Sequence, residues 1–154
     1  ATVERSHVLG DAAREVPSGW LLGVRALHAR RAPGNTCLAA LRGGRMGTRE
    51  APINDSKGCG GVMRVAPVAL MAGVADEAVF ELACDVSAIT HGHPTGWLAS
   101  GAFAHLLRRV LRGDPIAAAV EGARDRTARE PRHDETTRAL DGALRLWRAG
   151  AEPT

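Results

Sequence analysis

Residues 76 to 111 read DEAVFELACDVSAIT-HGHP-TGWLASGAFAHLLRRVL, and this stretch decides the fold. Val79, Leu82, Ala83, Val86 and Ile89 recur at three- and four-residue intervals, the spacing of one face of a helix from about Asp76 to Thr90. A proline disfavours helical geometry in the residue before it, so His91-Gly92-His93-Pro94 stops that helix. A second, strongly apolar helix follows from Thr95 to Leu111, with Gly113 as its C-terminal cap. Helix, short breaker, helix is the signature of a packed helical pair.

The pattern extends in both directions. Asp114-Pro115 is a good N-cap and first-turn pair for a helix over Ile116 to Ala128. Asp134 opens a last helix whose Leu140, Leu144 and Trp147 line one stripe until Gly150 ends it. Upstream, Val62 to Ala72 predicts a helix in which Pro67 either starts a new turn or introduces a kink. Met46 to Lys57 reads as a polar loop, and Thr36 to Leu41 as a short helix capped by Asn35. Trp20, Leu21, Val24 and Leu27 suggest one more helical face, ending at Arg30-Arg31 before Pro33-Gly34. No strand-like alternation runs for more than a few residues. The predicted fold is all-α, a compact multi-helix bundle formed by residues 1–154 as one domain or as the central part of a larger one.

Composition narrows the function classes. A chain of 154 residues can bury on the order of 70% of its unfolded surface. Its hydrophobic content of 45% argues against disorder, while aromatics at 3% mean the core must be built by close packing of Ala, Leu and Val. The net charge of +3 comes with interspersed acidic residues, which gives little motive for nucleic-acid binding. Arg108, Arg109 and Arg112 form the densest basic cluster, read as a solvated helix end rather than a phosphate site. Cys37, Cys59 and Cys84 are odd in number with no C-x-x-C, so neither a zinc knuckle nor a disulfide framework is indicated. The start, with Glu4, Arg5 and Asp11, lacks the apolar run of a signal peptide, and no stretch is a membrane span. A reduced, cytoplasmic setting is expected.

The chemistry-bearing stretch is Asn54 to Pro67, NDSKGCGGVMRVAP. A turn containing Gly58, Gly60 and Gly61 runs into the predicted helix, where exposed backbone N–H groups and the helix dipole would favour an anion such as a diphosphate. The chain's only lysine, Lys57, sits in this loop. Ser56 and Asn54 are turn-formers through local side-chain bonds. Arg64 could pair with a diphosphate or brace the loop, the latter being favoured. His91 and His93 at i, i+2 point to different faces of a helix, so a two-histidine zinc pair is not indicated. His93 reads as a cap on the preceding helix, and His105, among Phe103, Leu106 and Leu107, as a satisfied core or boundary imidazole. His7, His28 and His133 lie among charges and read as solvated.

Three separated blocks carry a family resemblance. Gly58 to Pro67 matches a G-x-G-[GS]-x-M-R-x-[AG]-P loop, Thr90, His91 and Gly96 match a T-H-x-x-x-x-G segment, and Pro33 to Leu41 reads PGNTCLAAL. In this order they resemble the ADP-ribosylglycohydrolase family over most of Gly19 to Ala149. The resemblance implies an all-helical enzyme that hydrolyses the ribose glycosidic bond of ADP-ribosylated proteins or small molecules with two magnesium ions. It implies a substrate-binding set of Ser56, Gly58, Cys59, Gly60, Gly61, Met63 and His91, with Met63 packed beneath the pocket. Cys59 and Gly61 stand where several relatives have Asn and Ser, which removes two side-chain hydrogen bonds.

The same resemblance exposes what is missing. The family's metal ligands come from an N-terminal [ST]-D-D and a C-terminal D-x-D-[ST] segment, and this chain has neither an Asp-Asp pair nor an Asp-x-Asp. It therefore reads as a bundle incomplete at both ends, with no metal-ligand residue to name and no tight magnesium site of its own. The general base is not identifiable, since nothing in their spacing singles out Glu50, Asp55 or Asp85. Expected partners are ADP-ribose or an ADP-ribosylated substrate, not nucleic acid or membrane, with self-association through uncovered helix faces. Alternatives are a catalytically inactive helical ADP-ribose-binding or structural protein derived from the family, and a truncated product with no autonomous role.

Overall fold

The computed structural model describes residues 19–29 and 31–150, so the expectations on His7, on the Glu4–Asp11 start and on Arg30 fall outside it. Among the described residues the chain is all-helical. Six α-helices follow in order: α1 Asn35–Arg42, α2 Ala66–Ala69, α3 Asp76–Ala88, α4 Pro94–Leu111, α5 Ile116–Thr127 and α6 Asp134–Arg148. Short 3-10 turns occur at Trp20–Gly23, Arg25–His28 and Val62–Arg64.

The α3–α4 pair is the axle of the bundle. Ser87 near the end of α3 donates to the Gly96 carbonyl near the start of α4, whereas Phe80 and Cys84 meet Gly101 further along. The helices therefore run antiparallel. They approach so closely at Gly101 that an added Cβ would lie 2.5 Å from Cys84 Sγ and 3.0 Å from the Phe80 ring. That is the tight small-residue packing expected from a chain with few aromatics. Two apolar clusters flank the crossing: Val65, Val68, Val79, Ala83 and Ala104 on one side, and Phe80, Cys84, Ala88, Trp97 and Leu98 on the other. Phe80 and Leu98 are fully buried, and each contributes roughly 1.5–3 kcal/mol of transfer free energy. Helix α5 packs on α4, and α6 on α5.

Helix ends follow the sequence in some places and depart from it in others. Beyond α4, Gly113 at φ +99° lets its own N–H reach the Val110 carbonyl while the Asp114 N–H reaches Arg109, a left-handed C-terminal cap. Pro94 occupies the first turn of α4. His93 caps that helix and not the preceding one, because its Nδ1 accepts from the Thr95 N–H at 3.1 Å. Asn35 lies inside α1 and makes no cap, the N-cap being Gly34. Asp114 is likewise no cap: its carboxylate binds Arg109 at 2.7 Å, and Pro115 takes the N-cap position of α5.

Two further expectations are corrected. The face Trp20–Leu27 forms two 3-10 turns instead of a helix, and Trp20 is 80% exposed. Trp147 shares the helical face of Leu140 and Leu144 as expected, but it stands 65% exposed near the end of α6. The predicted helix Val62–Ala72 is broken into a 3-10 turn and the four-residue α2, because Pro67 supplies no N–H and starts a new turn.

The basic cluster is not solvated cation. Arg108 and Arg112 both reach Asp76, Arg109 reaches Asp114, and Arg108 also donates to the Met71 and Val74 carbonyls. His28 bonds the Leu22 carbonyl at 2.9 Å and His133 bonds Thr137 at 3.2 Å, so neither is simply solvated.

Candidate functional site

The segment from Asn54 to Gly61 lies across the start of α4 and the end of α3, and Asn54 anchors it. Its Oδ1 accepts from the Ser56 N–H at 3.0 Å and the Gly92 N–H at 3.1 Å, while its Nδ2 donates to the Thr90 carbonyl at 2.9 Å. Ser56 adds a turn of its own, its Oγ accepting from the Gly58 N–H at 3.2 Å. The Ser56 hydroxyl also meets Thr36 of α1 at 3.0 Å. Both residues are the turn-formers their side chains suggest, and they bond across the fold as well.

The glycines serve close approach, not unusual dihedrals. None of Gly58, Gly60 and Gly61 has positive φ. A Cβ on Gly61 would overlap Ser87 Oγ, and one on Gly58 or Gly60 would stand 3.2 Å from His91 Nε2. The bare backbone therefore closes over an imidazole. His91 is 1% exposed, at the floor of the loop.

His91 is wired to Arg64. Its Nδ1 lies 2.8 Å from Thr90 Oγ1, which accepts from Arg64 Nη2 at 2.7 Å. Arg64 also grips the end of α3, donating from Nε and Nη2 to the Val86 carbonyl at 3.2 and 2.7 Å and from Nη2 to the Ser87 carbonyl at 3.1 Å. Its Nη1 approaches Cys37 Sγ at 3.9 Å. These are bracing contacts, yet every acceptor is neutral. Among the described residues no carboxylate pairs with Arg64, so its charge stands uncompensated beneath the glycine loop. Burial holds the His91 imidazole below the usual histidine range, and the Arg64 guanidinium adds to the effect. The floor of the loop is thus a neutral imidazole beside a fixed cation.

The loop's electrostatics differ in origin from the sequence expectation. A helix dipole requires a helix of some length, and a 3-10 turn followed by α2 supplies little. Lys57 does not point its charge at the loop interior either, since Nζ pairs with Glu135 of α6 at 2.6 Å. Thr95 donates to the same carboxylate oxygen at 3.0 Å. Arg64 is the cation beside this loop with no carboxylate partner among the described residues.

Of the substrate-binding set, Ser56, Gly58, Gly60, Gly61 and His91 come together in one place, and Cys59 stands exposed on the outside of the turn. Met63 neither packs beneath a pocket nor joins the core: it is 76% exposed, turned outward by the 3-10 turn. Arg64 and Thr90 were not in that set, although their place in the M-R and T-H blocks was the signal that could have found them. Glu50, Asp55 and Asp85 remain apart from the loop interior, with Asp85 held by Arg49 at 2.8 Å.

A depression of about 510 Å³ lies at the far end of the bundle, bordered by Asp76, Glu77, His105, Arg109 and Arg126. Its arginines are matched by carboxylates: Arg126 is ringed by Glu77, Glu81 and Glu130, with its guanidinium 4.0 Å from the Phe80 ring centroid. His105 is buried there, edge-on to Phe80, and its Nδ1 lacks a hydrogen-bond partner among the described residues. It is the core imidazole the sequence suggested, with the Asp76 backbone as a hydrogen-bonding neighbour.

No group of three or more His, Cys, Asp or Glu side chains able to hold a metal ion occurs among the described residues. Nor is any helix there long and apolar enough to cross a membrane. Compared with known proteins, residues 3–154 match the family model described as ADP-ribosylglycohydrolase. No curated protein and no solved structure matches the chain.

Proposed function

Because the chain belongs to the ADP-ribosylglycohydrolase family, we propose that the Asn54–Gly61 loop holds the ADP-ribose part of an ADP-ribosylated protein or small molecule. The observation that carries this reading is the unpaired charge of Arg64, held by neutral acceptors directly beneath a glycine turn. A diphosphate is the portion of ADP-ribose such a floor would attract, and bare glycine backbone allows its oxygens to come within hydrogen-bonding reach of N–H groups. Exposed Cys59 and half-buried Ser56 sit at the rim, where they would meet a ribose or the modified group.

The family's two magnesium ions would polarise a water and orient the ribose hydroxyls. The described residues do not fit such a pair, because they offer no cluster of three potential ligands. No hydrolytic step is therefore assigned to them. This chain is a glycohydrolase-like protein whose own contribution is recognition of the nucleotide sugar, with no turnover in isolation.

Calorimetric titration with ADP-ribose, with and without magnesium, tests this. Binding that is independent of magnesium and abolished by Arg64→Ala is the expected result. A folded chain that shows no heat with ADP-ribose in either buffer overturns the assignment.

A further inference from the structure

His91 has two ring nitrogens, and the surroundings decide which one carries the proton. Thr90 Oγ1 contacts two groups, Arg64 Nη2 at 2.7 Å and His91 Nδ1 at 2.8 Å. A hydroxyl offers one proton and two lone pairs, whereas a guanidinium can only donate. Arg64 therefore occupies a lone pair of Thr90. The hydroxyl proton is left with one acceptor bonded to it among the described residues, His91 Nδ1.

The opposite arrangement, Nδ1–H donating to Thr90, would give that oxygen two donors and leave its own proton unused. Thr90 is buried, so a wasted hydroxyl donor there is unfavourable. An imidazolium is worse, since it would need to donate from Nδ1 as well and would face the charge of Arg64. Arg64 itself cannot rotate away easily. Three of its four short contacts lock it to the Val86 and Ser87 carbonyls at the end of α3.

We propose that Arg64 and Thr90 are positioning residues that hold His91 as the Nε2–H tautomer, so that a neutral N–H donor faces the inner side of the glycine loop. The two loop glycines nearest this nitrogen let their bare backbone close over it, because a side chain at Gly58 or Gly60 would press within 3.2 Å of it. A neutral donor selects oxygen acceptors, the diphosphate or ribose oxygens of the ligand, and discriminates against cationic groups. That ligand-facing consequence rests on the ADP-ribose reading above, but the tautomer does not.

The test reads the tautomer directly, with no ligand present. A long-range proton–nitrogen correlation spectrum of the 15N-labelled full chain should show His91 Nε2 protonated and Nδ1 unprotonated. Thr90→Val should abolish that preference, giving a mixture of tautomers or the Nδ1–H form, whereas Thr90→Ser should preserve it. Protonation of Nδ1 in the wild-type chain overturns the proposal without recourse to any variant. An unchanged Nε2–H signal in a folded Thr90→Val chain overturns it as well. Adding ADP-ribose is a separate arm: a His91 Nε2 signal that fails to move then counts against the ligand reading, while the tautomer result stands.

Discussion

A buried arginine, Arg126, and a half-buried one, Arg64, stand at opposite ends of the α3–α4 pair, and they are accommodated in contrary ways. Arg126 is surrounded by three carboxylates and the face of Phe80. Arg64 is surrounded by two carbonyls, a hydroxyl and a thiol. Hydrogen bonds are satisfied in both places, but charge is neutralised only in the first. Arg126 has become part of the scaffold, since its electrostatic needs are met within the fold. Arg64 keeps a charge that no carboxylate among the described residues matches, and the proposed ligand is an anion that would complete it. A depression of about 510 Å³ lies beside Arg126, yet the proposed binding surface is at the other end, where the charge is left unmatched.

Substitutions at these two positions should separate scaffold from site, and the largest effect belongs to Arg126. Replacing it with Ala leaves Glu77, Glu81 and Glu130 facing one another and strips the Phe80 ring. A loss of about 3 kcal/mol is expected, the low end for a broken buried ion pair, because Glu77 and Glu81 are partly exposed. Urea unfolding measures it, and a loss under about 1 kcal/mol would show that the network is ornamental. ADP-ribose affinity of the folded fraction should not change.

Arg64→Ala should invert that profile. Stability falls by about 2 kcal/mol, since the carbonyls of Val86 and Ser87 lose their donor, and ADP-ribose binding disappears. Arg64→Lys keeps the charge without the fork that bridges carbonyl and hydroxyl, so it should retain weak binding. If both variants bind as well as wild type, the contrast between the two arginines has no functional meaning.

A smaller effect probes the loop's seating. Gly61→Ala drives a methyl into Ser87 Oγ and should cost about 1–2 kcal/mol. Ser87→Ala in the same chain removes the obstructing hydroxyl and should recover part of the loss, so the double-mutant cycle is non-additive. Additivity would mean that the loop does not rest on α3 as described.

Acidification tests both ends together. His91 and His105 are held below the ordinary value of 6.5, chiefly by burial. The unfolded chain then binds more protons than the folded one, so stability is full above pH 6.5 and declines as pH falls below it. His105→Gln should flatten that decline in a melting series, and an unchanged slope would remove His105 from the account. The smallest effect is expected from Lys57→Met. The Lys57–Glu135 pair is half exposed on both sides, and its loss should leave the melting temperature where it was.

The sequence and the structure agree most where a local rule acts alone. The α3 and α4 spans, the proline that begins α4 and the left-handed turn at Gly113 are dictated by periodicity, a missing N–H and a positive φ. They part company where neighbours compete for the same group. Asp114 looks like an N-cap but binds Arg109, which lies one turn away across the Gly113 reversal. His93 could cap either neighbouring helix, and only tertiary geometry settles that it serves Thr95. The glycine loop was recognisable from its motif, and so was His91. What the motif could not disclose is that the glycines face inward onto that histidine, or that Arg64 reaches it through Thr90. Those links span more than twenty residues of chain and depend on packing that no local pattern encodes. Met63 failed for the converse reason: an apolar residue in a motif was expected inside, but the 3-10 turn points it to solvent.

Lys57, the chain's single lysine, has a practical side as well. It is exposed, flanks the glycine turn and tethers it to α6. Within these 154 residues an amine-directed reagent would therefore find this one lysine side chain. Within the same residues a lysine-specific protease would likewise have a single bond to cut, at the edge of the loop. The rate of that nick, with and without a nucleotide sugar present, would report on the loop's motion from one band on a gel.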